Sequence, residues 1–300
     1  MSTPGSSHPQ DEPERASSSV GGREGHFAWQ GHDIWYSQQG SGPPLLMVHA
    51  PTLGGSSSEW AATARMLSHG HSVFTLDLLG FGQSSKPLLH YTGSLYAELL
   101  LAFRREVVGK PADVVASGYA SAFAIGAAAE DPDGFVRLIL VCPTGLSPLP
   151  YLAGRLDPSL FQRLISPLGQ ALYDRIASRP ALTYQLQTQL YHDQRLVTPD
   201  LVEQYYAAAH QGSGCRYAPA ALLAGHLDWN VRDSYGGLHQ PLLILWGEQA
   251  THNPASNLVD FLAGNPEAVG RVFGQARLLP HADHPARFHQ VCNDFLLAKG

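Results

Sequence analysis

The sequence predicts an α/β fold: a mostly parallel central sheet flanked by helices, with one helical insertion. Three observations predict it. Short, nearly continuous apolar runs, such as Pro44-Leu-Leu-Met-Val-His-Ala and Pro241-Leu-Leu-Ile-Leu-Trp-Gly, suit strands buried on both faces of a parallel sheet. These runs alternate with segments whose apolar residues recur at helical spacing. The alternation stops after Gly145 and resumes at Pro241, and the interval up to about Leu227 reads as helix only.

Taken in order, residues 1–25 are rich in Ser, Pro, Gly and Glu and read as a disordered tail, because they offer too little apolar surface to offset the entropy of ordering. Phe27 to Gln30 and Ile34 to Gln38 alternate around Gly31-His32-Asp33, the pattern of a hairpin. A buried strand from Pro44 precedes a small-residue loop, Pro51-Thr-Leu-Gly-Gly-Ser-Ser-Ser, and a helix from Ser58 to Leu67. Ser72-Val-Phe-Thr-Leu-Asp is the next strand, and a helix from Gly93 to Val108 carries Leu95, Leu99, Leu100 and Phe103 on one face. A strand from Asp113, a helix from Ala120 to Glu130 and a strand from Arg137 complete the first half. The expected organisation is therefore a core of residues 26–145 and 228–300, with residues 146–227 as a helical cap over the strand ends. Pro158, Pro167, Pro180 and Pro199 punctuate its helices. A helix from Ser256 to Leu262, a strand from Gly270 to Phe273 and a helix from Pro285 to Leu297 close the chain.

Composition narrows the function classes. Hydrophobic residues make up 44% of the 300, enough for a large core, and the formal net charge is −6. No basic stripe is present, so nucleic acid is not an expected partner. Three widely spaced cysteines, Cys142, Cys215 and Cys292, argue for reduced thiols rather than a disulfide framework. No apolar run is long enough to span a bilayer and no signal peptide is evident, so a cytoplasmic protein is expected.

The most informative stretch is Asp113-Val-Val-Ala-Ser-Gly-Tyr-Ala-Ser-Ala-Phe. An apolar run ends, small residues force a turn, and an alanine-rich helix begins. This is the grammar of a nucleophile elbow, G-x-S-x-G. Such a corner needs small residues two before and two after its apex. Ala116 and Ala120 are the pair that fits, and the apex between them is Gly118. Centring the turn on Ser117 or Ser121 instead would crowd it with Val115, Tyr119 or Phe123.

Other motifs stand in a matching order. Val48-His49 closes a strand before a glycine-rich loop; Asp77, Gly80, Gly82, Ser84 and Pro87 match D-x-x-G-x-G-x-S-x-x-P; Leu245-Trp246-Gly247-Glu248 ends a late strand; and Pro280-His281 precedes the last helix. Together they resemble the α/β-hydrolase superfamily over roughly residues 26 to 300. Ser166-Pro-Leu-Gly-Gln-Ala-Leu-Tyr and Ala209-His-Gln-Gly look like the cap of an uncharacterised bacterial subgroup with an A-x-S-x-S elbow. The resemblance implies a Ser-His-Asp machine and no cofactor. Carried over position by position, the nucleophile falls on Gly118 and the acid on Ala250. The histidine falls on His281 by the subgroup's pattern, the assignment preferred, or on Leu278 by a strict G-H-x-P-H match. The oxyanion donors fall on Tyr119 and on Pro51, which has no N–H. His49, Ala50, Pro51, Ser117 and Tyr119 are the expected pocket residues around the elbow.

The expectation is a family member that lacks serine-hydrolase activity and binds a small apolar or ester-like molecule under the cap. Two alternatives stand beside it: an active esterase with a displaced serine, and a lyase or isomerase using His281 as base. His281, Asp283, His284 and His289 form a histidine-rich stretch, but no cysteine or further acid is placed to complete a metal site, so none is expected.

Overall fold

The structure is a computed structural model that describes residues 20–147 and 158–298. The expected tail, up to residue 19, and the start of the insertion, residues 148–157, lie outside the described residues.

Eight strands form one sheet: β1 (Arg23–Trp29), β2 (His32–Gln39), β3 (Pro44–Val48), β4 (Ser72–Leu76), β5 (Ala112–Ser117), β6 (Phe135–Val141), β7 (Leu242–Gly247) and β8 (Val269–Phe273). Their order is β1-β2-β4-β3-β5-β6-β7-β8. β1 and β2 pair antiparallel, β2 and β4 likewise, and every later pair is parallel. β4, β5 and β7 are buried at every residue, the consequence of helices on both faces of the sheet.

Two sequence expectations need correction here. Arg23 to Gly25, assigned to the tail, belong to β1 and pair with Gln38 to Tyr36. A main-chain ladder needs no apolar side chains, so composition is silent about it. His32 and Asp33, assigned to the hairpin turn, begin β2. The turn is Gln30-Gly31 alone, with φ of 49° and 79°, the two left-handed residues of a tight hairpin.

The helices are α1 (Ala61–Leu67), α2 (Gly93–Phe103), α3 (Tyr119–Glu130), α4 (Pro158–Ile165), α5 (Gly169–Ile176), α6 (Arg179–Gln185), α7 (Pro199–Ala209), α8 (Tyr217–Leu223), α9 (Arg232–Gly236), α10 (Leu258–Gly264), α11 (Pro280–Asp283) and α12 (Pro285–Leu297). α4 to α8 lie between β6 and β7, and no strand interrupts them among the described residues. α7 starts where Thr198 accepts a hydrogen bond from the Leu201 N–H and Pro199 fills the first turn. The short α9, just before β7, has no periodic signal in the sequence.

The insertion is pinned to the sheet by close backbone approach. A Cβ on Gly80 would lie 2.3 Å from the Ala218 Cβ of α8, and one on Gly54 would lie 2.3 Å from the Tyr205 carbonyl of α7. Asp283 adds a polar clasp, accepting hydrogen bonds from the backbone N–H groups of His192, Asp193 and Arg277. Among the described residues no helix is long and apolar enough to cross a membrane.

Candidate active site

A sharp strand-to-helix turn lies at Gly118. β5 runs to Ser117, Gly118 takes φ 56° and ψ −126°, and α3 begins at Tyr119. Side chains avoid that backbone region unless the fold enforces it. Glycine adopts it freely, and a Cβ there would meet only the Ala50 Cβ, at 3.4 Å. Ser121, one of the two displaced-serine candidates, is fully buried and donates to the Ala116 carbonyl. Ser117, the other, lines a cavity.

That cavity measures about 330 Å³ and lies between the strand ends and the insertion. Ala50, Pro51, Ser117, Gly118, Tyr119 and Cys142 form its sheet side. The insertion contributes Gln185, Gln189, Leu190, Leu222 and Leu223, and the late loops add His252, Asn253, Leu278 and Leu279. Asn253 is held by donating to the Cys142 and Pro143 carbonyls, and its own carbonyl accepts from the Trp246 indole. Burial pushes the Cys142 thiol up to about 12, so it is uncharged at neutral pH.

Three expected site residues are not in the cavity wall. Ala250 is buried behind it, its N–H bonded to the Gly247 carbonyl. His49 is held by backbone on both ring nitrogens: Nδ1 donates to the Ala50 carbonyl and Nε2 accepts from the Leu78 N–H. It braces the glycine-rich turn rather than facing a ligand. Asp77 does the same from the other side, accepting from the Ser57 and Gln83 N–H groups.

His281, the expected histidine, is buried. It is 1% exposed and absent from the cavity wall, whereas Leu278 is part of that wall. Leu278 and Leu279 both line the cavity, and the chain then enters α11 at Pro280. His281 lies stacked on Trp60, ring centroids 4.2 Å apart, and edge-on to Phe288 at 5.4 Å. Burial pushes its imidazole down to about 3, so the ring is neutral. Neither ring nitrogen finds a hydrogen-bond partner among the described residues.

The residue that sequence reasoning missed is Glu59. It stands in the 3₁₀ turn Ser57–Trp60 with its side chain buried and outside the cavity wall. Ser117 donates its hydroxyl hydrogen to Glu59 Oε1, and the Ala50 N–H donates to Oε2 at 2.9 Å. His281 Nε2 is 3.4 Å from the same Oε1. Burial pushes the carboxyl up to about 7; the Ser117 and Ala50 donors oppose that shift without cancelling it. Glu59 sits in a serine-rich loop with no periodicity to mark it as inward-facing, so no sequence signal identifies it.

The family profile describing the alpha/beta hydrolase fold matches residues 43–285. The chain belongs to the α/β-hydrolase family. Among similar proteins of this family, a 2-hydroxy-6-oxononadienedioate/2-hydroxy-6-oxononatrienedioate hydrolase from Comamonas testosteroni is 24% identical, over 88% of this chain and 91% of its own. A 2-hydroxy-6-oxo-6-phenylhexa-2,4-dienoate hydrolase from Delftia acidovorans is 23% identical over the same shares. A solved meta-cleavage product hydrolase from Pseudomonas fluorescens superposes with a TM-score of 0.77 at 18% identity, covering 93% of this chain and 98% of that one. At that identity the superposition establishes the α/β-hydrolase fold.

Proposed function

We propose that this α/β-hydrolase is a non-hydrolytic member of its family, binding a small neutral molecule in the cavity under a helical cap. One observation carries the reading. The elbow apex, Gly118, has no side chain, and the wall that would present a base carries Leu278. Ala250 at the acid position and Pro51 at the second oxyanion position point the same way. Losing a triad serine alone costs about 10⁶ in rate, and losing an oxyanion donor about 10²–10³.

The cavity's size, about 330 Å³, fits a ligand at the small end of the usual range. The hydrolases from Comamonas testosteroni and Delftia acidovorans act on carboxylates by name. Among the described residues, those lining this cavity include no Arg or Lys, which favours an uncharged ligand. The test pairs two measurements on the intact protein. Turnover of p-nitrophenyl butyrate should not exceed background, and small neutral alcohols or ketones should raise the melting temperature. Turnover within a hundredfold of an ordinary esterase sinks the reading.

A second reading has one observation in its favour. Ser117 lines the cavity and donates to a carboxyl whose affinity for protons lies near neutrality, the arrangement of a serine beside a general base. Covalent labelling at Ser117 by a fluorophosphonate, abolished in Ser117→Ala, would establish it. The lyase or isomerase reading with His281 as base needs His281 to act through Glu59 and Ser117, because the imidazole is not in the wall.

A further inference from the structure

Among the described residues, Ser117 is the cavity-lining side chain that bonds the buried carboxyl behind it, which the Ala50 N–H also reaches from the main chain. Ser117 is 1% exposed and lines the cavity, and its one hydroxyl hydrogen is donated to Glu59 Oε1. A hydroxyl has one donor and two acceptor sites. While Glu59 is ionised, Ser117 can therefore offer a ligand only lone pairs. When Glu59 carries a proton, that proton can be donated to Ser117 Oγ, and the serine hydrogen is released toward the cavity. Glu59 Oε2 stays bound to the Ala50 N–H in both states, so the carboxyl need not move.

Resting on the binding reading above, we infer that Ser117 is a polar anchor of the cavity and that Glu59 sets its polarity, so that Ser117 takes a ligand's hydroxyl or N–H donor directly and donates to a bare carbonyl only with uptake of a proton by Glu59. The other groups around Glu59 hold their charge through neutral pH. His281, 3.4 Å away, is neutral because burial pushes it down to about 3. Cys142 at the end of β6 and Tyr191 in the insertion are each pushed up to about 12, and Tyr205 is raised well above its ordinary value by burial. Glu59, raised to about 7, is the one member of the cluster that changes charge there. It is a positioning residue, since a ligand meets Ser117 and not the carboxyl.

The experiment uses cyclohexanol and cyclohexanone as probes, followed by chemical-shift titration of the full chain between about pH 5.5 and pH 8.5. Cyclohexanol can donate or accept, so its affinity should stay flat. Cyclohexanone should weaken about tenfold for each pH unit above the Glu59 titration, because the competent state falls by that factor. In Glu59→Gln the amide oxygen keeps the Ala50 N–H and the amide N–H donates to Ser117, which mimics the protonated state. Cyclohexanone should then bind equally at every pH. Ser117→Ala, which leaves Glu59 in place, should remove the preference between the two probes. If both probes bind the wild type and cyclohexanone shows no pH dependence, the inference is wrong while the cavity remains a ligand site. If neither probe binds at any pH, both this inference and the binding reading fall.

Discussion

Gly118→Ser tests the reading of the elbow most directly. The backbone there has φ 56° and ψ −126°, a conformation that costs a residue with a Cβ about 1–3 kcal/mol. Space is not the obstacle, since the added Cβ would meet only the Ala50 Cβ at an ordinary 3.4 Å. Replacing glycine also removes freedom from the unfolded chain, an offset of about 0.4–1 kcal/mol. The net expectation is a loss of roughly 1 kcal/mol in urea denaturation. The new hydroxyl would project into the cavity, yet the position that would present the base carries Leu278, and the histidine that does line the cavity, His252, belongs to the loop after β7. A serine without its base and acid stays about 10⁴-fold or more below an intact triad. Gly118→Ser should therefore label slowly with a fluorophosphonate and hardly turn over p-nitrophenyl butyrate. Adding Leu278→His, Ala250→Asp and Pro51→Gly should raise turnover far more than any one change, because the members act as a unit. If Gly118→Ser alone reaches ordinary esterase rates, a base and an oxyanion site already exist in this cavity, and the binding reading is refuted.

Other predictions concern the buried polar groups and the seat of the insertion. Glu59 has a raised folded-state pKa, so its contribution to stability is fully present below about pH 4.5 and is lost as pH rises through about 7. Glu59→Gln should therefore match the wild type near pH 5 and exceed it by up to about 3 kcal/mol above pH 8, read from urea midpoints; equal midpoints at high pH would contradict this. His281 works in the opposite sense, because its depressed pKa removes stability as pH falls from about 6.5 toward 3. Asp283→Ala should cost about 1–3 kcal/mol by leaving the N–H groups of His192, Asp193 and Arg277 without their acceptor, with faster hydrogen exchange at those amides as the readout. Gly80→Ala combines φ 91° with a 2.3 Å approach to Ala218. It should destabilise by at least about 1–3 kcal/mol and loosen α8 first in hydrogen exchange.

Much of the scaffold was legible because its signals are local. Leu45 to Val48 and Leu242 to Trp246 had to be two-sided strands, since nothing polar interrupts them. Ala116 and Ala120 fixed the register of the elbow, because only small residues fit beside its apex, and the backbone at Gly118 carries the conformation that register demands. The helical run between β6 and β7 was legible from its prolines and its lack of alternating strands. Boundaries resting on main-chain pairing alone, such as Arg23 to Gly25, were not.

The site divides along the same line. The sequence by itself determined that the apex carries no side chain and that Pro51 has no N–H, because those are properties of single residues. That Leu278 lines the cavity while His281 stacks on Trp60 is a matter of tertiary packing that spacing does not encode. Glu59 needed the fold more completely. Its partners, Ser117, Ala50 and His281, come from β5, the loop after β3 and α11. Burial and a neighbouring donor are tertiary quantities, and they alone turn an unremarked loop glutamate into a carboxyl that can hold its proton near neutral pH.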